Sequence, residues 1–294
     1  MRTGWNFEQG DDIVPGRVAL KRLGGGHRYE AYLAWDDKLF SLVVVKVVRP
    51  DQVDGSSVLR GLAREVRMLR RLNHPVLLRS FDAVLDGPRP HVVLEHLEGP
   101  RLSTLLRKYG RLPLEQLLPL ALEVCSALHY LSTQEIVHLD VKPSNIIMGG
   151  PPRLIDLSIA RTINEAAALD SAVGTDAYMT PEQCDPTASG GGPGPAADVW
   201  GLGATLFEAC AGYLPFSHGV DDEDAEPNQR WPQIIEEPAA LPRATPDAVA
   251  KPILACLDKD PLARPAPAEL AHLLEPIVGS LPKPVLGLLK PRLH

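Results

Sequence analysis

The fold is decided by His138-Leu139-Asp140-Val141-Lys142-Pro143-Ser144-Asn145, a stretch that Asp156-Leu157-Ser158 follows eleven residues later. The first stretch brings a carboxylate, an ammonium group and an amide together within six residues. A carboxylate can orient or deprotonate a hydroxyl, an ammonium group can neutralise developing charge, and an amide can ligate a divalent ion. The carboxylate of Asp156 adds an oxygen ligand of the kind that Mg²⁺ prefers. Together the two stretches predict a site for an anionic, metal-bearing substrate.

Both stretches resemble motifs of the protein kinase family. The first is similar to the catalytic-loop motif H-R-D-x-K-P-x-N, with Leu139 where the family has arginine. The second is similar to the metal-binding triplet D-F-G, with Leu157 and Ser158 substituted. Lys142 stands two residues after Asp140, which is the pattern of serine/threonine kinases and not of tyrosine kinases.

The resemblance implies a role for each polar residue of the two stretches. Asp140 would orient and activate the accepting hydroxyl, and Lys142 would stabilise the transferring phosphoryl group. Asn145 and Asp156 would hold the Mg²⁺ or Mn²⁺ that accompanies ATP, the co-substrate. In this interpretation His138 is a packing residue and not a second base.

Residues before the catalytic loop resemble the nucleotide-binding elements of the same family. Val43-Val44-Val45-Lys46 is similar to V-A-I-K, and Glu65, nineteen residues after the lysine, is similar to the helix glutamate that pairs with it. Either residue alone could be an exposed strand lysine or a helix glutamate paired with an arginine. Their spacing and the catalytic loop downstream favour the functional interpretation. Gly24-Gly25-Gly26 occupies the place of the glycine-rich loop, with Tyr29 where the third glycine of G-x-G-x-x-G should stand.

The resemblance also implies where adenine would bind. Backbone groups of Glu95-His96-Leu97-Glu98 would contact the base, and Leu94 would be the gatekeeper side chain. Ala31 and Val44 would cover the base, at positions where the family has valine and alanine respectively, so the total side-chain volume is kept. The full set expected to bind nucleotide is Gly24, Gly25, Gly26, Ala31, Val44, Lys46, Glu65, Leu94, Glu95, Leu97 and Ile147.

Val173-Gly174-Thr175-Asp176-Ala177-Tyr178-Met179-Thr180-Pro181-Glu182 is similar to the end of an activation segment, with Thr-Pro-Glu in place of A-P-E. The resemblance implies that Thr175 bridges Asp140 and Lys142; a phosphorylation site is the alternative use of this hydroxyl. Because Leu139 replaces the arginine that pairs with a phosphate on this segment, we expect activity without such a phosphate.

Other expectations concern substrate choice and support of the site. By resemblance, Asp198 supports the backbone of the catalytic loop, and Arg264 pairs with Glu182. Asp176 would favour a basic residue directly after the target hydroxyl. The acidic run over residues 221–226 is either a solvated loop or a docking site for basic substrates.

The resemblance implies a bilobal α+β protein-kinase fold. The expected division is a β-rich N-lobe over residues 1–98, a mainly helical C-lobe over 99–280 and a tail over 281–294. Apolar spacing predicts one helix in the first lobe, over 57–72. The other predicted segments are strands within 17–48, 76–84 and 91–97, helices over 102–109, 113–134, 199–211 and 267–278, a small hairpin within 145–155 and a flexible loop over 186–197.

Composition and charge exclude several classes of protein. The chain has 294 residues, 45% of them hydrophobic and 23% charged, which excludes disorder throughout. The net charge of −7 does not suit a nucleic-acid partner. We expect no membrane span and no signal peptide, hence a cytoplasmic protein whose four cysteines are reduced structural thiols.

These observations predict a serine/threonine protein kinase that transfers the γ-phosphoryl group of ATP to protein hydroxyls. A pseudokinase, which would bind nucleotide as a scaffold, is the main alternative, favoured by the substitutions at Tyr29, Leu139 and Ser158. The intact catalytic set opposes it. A kinase of a small molecule is the second alternative, and the segment over residues 174–182 opposes it because such enzymes generally lack this protein-docking element. The sequence predicts no particular oligomeric state.

Overall fold

The computed structural model describes residues 4–188, 191–222 and 224–281, and its first lobe is built on one antiparallel sheet. The strands are β1 (Asp12–Val14), β2 (Arg17–Gly25), β3 (Tyr29–Asp36), β4 (Ser41–Val48), β5 (Ser80–Val84) and β6 (His91–Glu95). They lie in the order β1-β2-β3-β4-β6-β5. The β-branched run of β4 forms the centre of the sheet, as expected for residues with high strand propensity.

The alternation of side chains along β3 and β4 gives this sheet two different faces. One face packs beneath Trp5 and Phe7 and carries the fully buried side chains Tyr32, Ala34, Val43, Val45 and Val47. The opposite face carries Tyr29, Ala31, Val44 and Lys46, which are only partly buried. The same two strands therefore supply both a core and a row of residues that face a cleft.

One helix, α1 (Ser56–Arg71), packs against the inner face of the sheet and confirms the predicted helix over 57–72. Its apolar residues at spacings of three and four are buried in the main core of the protein. Glu65 lies on the same buried face of the helix, although it is charged. A buried carboxylate needs a partner, and its position on this face aims it at the sheet.

The second lobe is mainly helical. Its helices are α2 (Leu102–Tyr109), α3 (Leu114–Thr133), α4 (Ile163–Ala167), α5 (Pro181–Cys184), α6 (Pro195–Ala211), α7 (Pro227–Arg230), α8 (Asp247–Ala255) and α9 (Pro267–Ser280). Two short strand pairs join β7 (Ile136–Val137) to β10 (Arg161–Thr162) and β8 (Ile146–Ile147) to β9 (Arg153–Leu154). α6 is buried on nearly every side, with Trp200 and Phe207 fully inaccessible.

The structure corrects several predicted boundaries. The strand predicted over 76–84 begins only at Ser80, and the one over 91–97 ends at Glu95. The loop predicted over 186–197 ends earlier, because α6 begins at Pro195, a residue that suits the first turn of a helix. α4, α5, α7 and α8 were not predicted; the first three are too short for helical periodicity, and α8 contains Pro252. The predicted tail, apart from residue 281, and residue 223 of the acidic run lie outside the described residues.

Two further expectations can be compared with the described part of the chain. All four cysteines are buried free thiols, as predicted. None of the helices over residues 4–188, 191–222 and 224–281 combines the length and the apolar character that a membrane span requires.

Candidate active site

The loop that carries Asp140 is held by a carboxylate from the central helix of the second lobe. The backbone N–H groups of His138 and Leu139 donate to the two oxygens of Asp198 at 2.7 and 2.8 Å. His138 is fully buried, and its Nε2 lies 3.3 Å from the Ile155 carbonyl oxygen, so it packs within the protein. Leu139 has a positive φ of 67°, which turns the chain sharply before Asp140.

Three residues predicted to act in catalysis or metal binding contact Asp140. Lys142 Nζ donates to Oδ1 and Oδ2 of Asp140 at 2.9 and 2.7 Å. Asn145 Nδ2 donates to Oδ2 and to the backbone oxygen of Asp140 at 2.8 and 2.9 Å. The Thr175 hydroxyl donates to Oδ1 at 2.7 Å and accepts a hydrogen bond from Lys142 Nζ. Thr175 thus forms the bridge that the resemblance implies, and it ties the activation segment to the catalytic loop.

The two lobes meet at Lys46. Its Nζ donates to both oxygens of Glu65 at 2.9 and 2.8 Å and lies 3.4 Å from Oδ1 of Asp156. Burial alone would lower the pKa of Lys46, but the charges of the two carboxylates outweigh it and raise that pKa. Lys46 is therefore charged and is shared between α1 and the Asp156 segment.

Asp156 and Asn145 offer oxygen atoms that fit a hard divalent cation. Burial alone would raise the pKa of Asp156, but Lys46 and Ser158 lower it to about 2, so the carboxylate is ionised. The amide nitrogen of Asn145 is engaged by Asp140, which leaves its amide oxygen available. The two segments are adjacent because the Ile155 N–H donates to the Asn145 carbonyl oxygen at 2.9 Å. Among the described residues no group of three His, Cys, Asp or Glu forms a protein-only metal site. Mg²⁺ commonly takes one or two carboxylates together with substrate phosphates, so this donor set fits it.

The substituted third residue of the metal triplet also takes part in this arrangement. The backbone N–H of Ser158 lies 3.3 Å from Asp156 Oδ1, and its hydroxyl adds to the lowering of the Asp156 pKa. Leu157 is buried in the main core, at the position of the family's phenylalanine. Both substitutions therefore keep Asp156 anchored.

The inner face of the sheet forms the upper wall of the cleft. Ala31 on β3 pairs with Lys46 on β4. Val44 on β4 lies on the same face of the sheet as Lys46, and it pairs with Leu94 on β6. Gly25 lies at the end of the hairpin, where an added Cβ would stand 2.6 Å from the Tyr29 carbonyl oxygen. The hairpin can therefore close tightly only with glycine at residue 25. Gly24 precedes it in β2, and Gly26 follows it in the turn.

The segment expected to contact adenine follows directly from this wall. β6 ends at Glu95, whose side chain accepts a hydrogen bond from Arg153 at 2.9 Å. Leu97 lies beyond the strand, and its N–H has no backbone partner among the described residues, so it can donate to a ligand. Ile147 of β8 is half-buried. Val44 and Leu94 are thus neighbours in the sheet, and Ile147 is paired with Arg101, shortly after the segment expected to contact adenine.

The end of the activation segment is fixed by a buried ion pair and by a glutamine. Arg264 donates to both oxygens of Glu182 at 2.6 and 2.9 Å, as the resemblance implies. Gln183 Nε2 donates to the carbonyl oxygens of Leu139 and Val173 at 3.0 and 2.9 Å, which joins the segment to the catalytic loop. The role of Gln183 was not predicted from the sequence. The spacing Thr180-x-x-Gln183 is a capping-box signature, and it would have predicted the cap but not the long-range bonds.

Leu139, where the family has arginine, lies in a small apolar cluster. It is 4% exposed, and α4 covers it with Ala166 and Ile163. Thr162 caps α4 with a capping box, which defines the start of this short helix. The space beside the catalytic loop is therefore filled by apolar side chains of the activation segment.

Asp176 lies one residue after the Thr175 bridge and is exposed. The indole N–H of Trp231 donates to its Oδ1 at 3.0 Å, and Gln233 Nε2 donates to its carbonyl oxygen at 2.6 Å. Arg230 stacks on the Trp231 ring at 4.6 Å. The carboxylate is thus held by Trp231, one residue after Thr175.

The sequence is similar to those of known proteins. A family model described as "Protein kinase domain" matches residues 18–273. The serine/threonine-protein kinase PknB of Mycobacterium leprae is 32% identical over 203 residues, which cover 66% of this chain and 32% of the relative. The probable serine/threonine-protein kinase PkwA of Thermomonospora curvata is 33% identical over 263 residues, or 87% of this chain and 34% of the relative. PrkC of Bacillus subtilis, also a serine/threonine-protein kinase, is 30% identical over 263 residues, or 87% and 39%. The chain thus spans about a third of the length of these curated relatives.

Proposed function

The chain belongs to the protein kinase family and has its bilobal α+β fold, and we propose that it is a serine/threonine protein kinase. It would transfer the γ-phosphoryl group of ATP to serine or threonine hydroxyls of proteins. One observation carries the proposal: Lys142, Asn145 and Thr175 all contact Asp140, and Asp156 lies 3.4 Å from Lys46, which pairs with Glu65. Catalytic residues of both lobes are therefore arranged for transfer.

The residues of this chain act mainly by positioning and by electrostatic stabilisation. Asp140 accepts the proton of the substrate hydroxyl, and Lys142 lies close enough to neutralise charge on the transferring group. Lys46 binds phosphate oxygens in an orientation that Glu65 fixes. Mg²⁺ bound with ATP would neutralise phosphate charge, and Asn145 with Asp156 would hold it.

The substitutions that favour a pseudokinase each have a structural role here. Tyr29 bonds to α1, Leu139 completes an apolar cluster, and Ser158 supports Asp156. None of the three displaces the ion pair between Lys46 and Glu65. These contacts support an active enzyme over the scaffold alternative.

The nature of the acceptor is tested with purified chain, Mg²⁺, γ-labelled ATP and a generic basic protein. We expect label on serine or threonine of the added protein. Lys142→Met should abolish the labelling, and Lys108→Met, an exposed lysine at the end of α2, should leave it unchanged. Label only on tyrosine, or equal labelling with Lys142→Met, would count against this function.

We also propose that activity does not depend on phosphorylation of the activation segment. The apolar cluster of Leu139 and α4 supports this, because the segment packs there against an apolar side chain that cannot pair with a phosphate. Treatment with a phosphatase should leave the rate unchanged. A tenfold loss, about 1.4 kcal/mol of barrier, that rephosphorylation restores would contradict the proposal.

The proposed substrate class is proteins with lysine or arginine directly after the target hydroxyl. The exposed carboxylate of Asp176, held by Trp231, supports this preference.

We propose the cytoplasm as the location, since its reducing conditions suit four buried free thiols.

A further inference from the structure

Tyr29 stands where the family has the third glycine of its loop, and its side chain makes two contacts in the cleft. It is the first residue of β3, and the Lys46 Nζ lies 4.8 Å from the centroid of its ring. Its hydroxyl donates to the Val58 carbonyl oxygen, in the first turn of α1, at 3.0 Å. One side chain therefore contacts both the strand lysine and the helix that carries Glu65.

A glycine on α1 leaves room for the Tyr29 hydroxyl. Gly61 lies inside the helix, where glycine is the least favourable residue apart from proline. A Cβ built at this position would stand 3.3 Å from Tyr29 Oη, with no other atom within 4 Å apart from the neighbouring residues and the backbone of the helix itself. That separation is shorter than an ordinary van der Waals contact, so a side chain here would press on the hydroxyl. The packing of Tyr29 against α1 thus explains why residue 61 is a glycine.

The contact between Tyr29 and α1 lies on the same side of the helix as Glu65, the partner of Lys46. Glu65 follows Gly61 by four residues, so both lie on the same face of α1. Lys46 can pair with Glu65 only while α1 stays close to the sheet, and the Tyr29 hydroxyl bonds α1 to the sheet at Val58, two turns before Glu65. The cation–π contact adds a second interaction between Tyr29 and the residues of this pair, at Lys46.

We propose that Tyr29 is a positioning residue that replaces the third glycine by a strut between the glycine-rich hairpin, Lys46 and α1. The strut keeps Glu65 within reach of Lys46 before nucleotide binds. This inference rests on the proposed kinase function for its catalytic consequence. Its structural part, the bond between Tyr29 and α1, can be tested without any activity.

The structural test is hydrogen exchange of the α1 amides in the full chain without nucleotide. Tyr29→Phe keeps the ring over Lys46 but removes the bond to Val58, and we expect about three- to tenfold faster exchange over residues 58–65. Exchange in α3 should not change. Tyr109→Phe, at an exposed tyrosine at the end of α2, is the matched control and should not affect α1.

The kinetic test compares Tyr29→Phe and Tyr29→Gly with the unmodified chain at a temperature where all are folded. We expect kcat/KM for ATP to fall about three- to tenfold in Tyr29→Phe and further in Tyr29→Gly. The partial rescue by phenylalanine separates a positioning role from loss of folding. Equal or higher activity of Tyr29→Gly would overturn the proposal, because Tyr29 would then obstruct the site.

The Gly61 contact gives a third, independent test. Gly61→Ala should lower kcat/KM in the unmodified chain, although alanine favours the helix. In the Tyr29→Phe background the same change should cost much less, because phenylalanine lacks the crowded oxygen. Equal losses in both backgrounds would overturn the proposal.

The outcomes separate the two proposals. If no variant transfers phosphate but Tyr29→Phe speeds exchange in α1, the kinase function fails and the strut stands. If the unmodified chain transfers phosphate and Tyr29→Phe changes neither exchange nor kcat/KM, the strut fails and the function stands.

Discussion

Exchanging the side chains at residues 31 and 44 is a sensitive test of the nucleotide pocket. Ala31 and Val44 lie on the same face of the sheet, with Ala31 opposite Lys46 and Val44 opposite Leu33. This diagonal arrangement separates them by about 7 Å. A base that lies against this face would contact both side chains, so a large residue at one position requires a small one at the other.

The expected magnitudes follow from the methyl groups involved. Ala31→Val adds two methyl groups to the cleft face, and overpacking of this kind costs about 1–3 kcal/mol, or roughly 5–150-fold in affinity. Val44→Ala removes two, at about 0.8 kcal/mol each when fully covered, or roughly tenfold. The double variant keeps the total volume, and we expect its affinity within about fivefold of the unmodified chain.

The assay is the equilibrium affinity for ATP with Mg²⁺, measured for the unmodified chain, both single variants and the double variant. Val84→Ala, on the exposed edge strand β5, serves as the matched control and should not change affinity. If the two single effects simply add in the double variant, Ala31 and Val44 do not share the nucleotide. That result would refute this account of the pocket.

Three further predictions concern stability, each measured by denaturation of the full chain. Leu139→Ala opens the apolar cluster beside α4 and should lower the free energy of unfolding by about 2–5 kcal/mol; a change below 0.5 kcal/mol (roughly the surface value) would contradict the cluster. Arg264→Met leaves Glu182 buried without its partner and should cost about 3–5 kcal/mol, whereas an unchanged midpoint would show that the pair is dispensable. Burial alone would raise the pKa of Asp36, but backbone N–H groups and Arg17 lower it, so Asp36→Asn should cost most above about pH 4 and progressively less in acid. If the loss of stability in Asp36→Asn does not depend on pH, the ion pair between Asp36 and Arg17 does not contribute as expected.

Much of the site could be predicted because its residues belong to short, specific motifs. The contacts between Lys46 and Glu65, between Arg264 and Glu182, and between Asp198 and the catalytic-loop backbone all form as expected. Each of these contacts is predictable from the residue types, because a buried charge needs an opposite charge or several N–H donors as partners. α1 was predictable from its apolar spacing alone.

Other features could not be predicted from local pattern. α4 has five residues, fewer than two helical turns, so its packing on Leu139 leaves no periodic signal. The bond from Trp231 to Asp176 joins two irregular segments that are 55 residues apart. The contact between Tyr29 and Gly61 depends on the distance between a strand and a helix, which the sequence does not show.

The central claim is that this chain transfers phosphate and does not merely bind nucleotide, and Asp140→Asn tests it most directly. The amide keeps the size of the carboxylate but cannot accept the substrate proton as a base. We predict that autophosphorylation falls by about 10²–10⁴-fold, while stabilisation by ATP in a thermal-shift measurement persists. The same negligible transfer in the unmodified chain and in Asp140→Asn, with ATP bound by both, would contradict the claim and identify the protein as a nucleotide-binding pseudokinase.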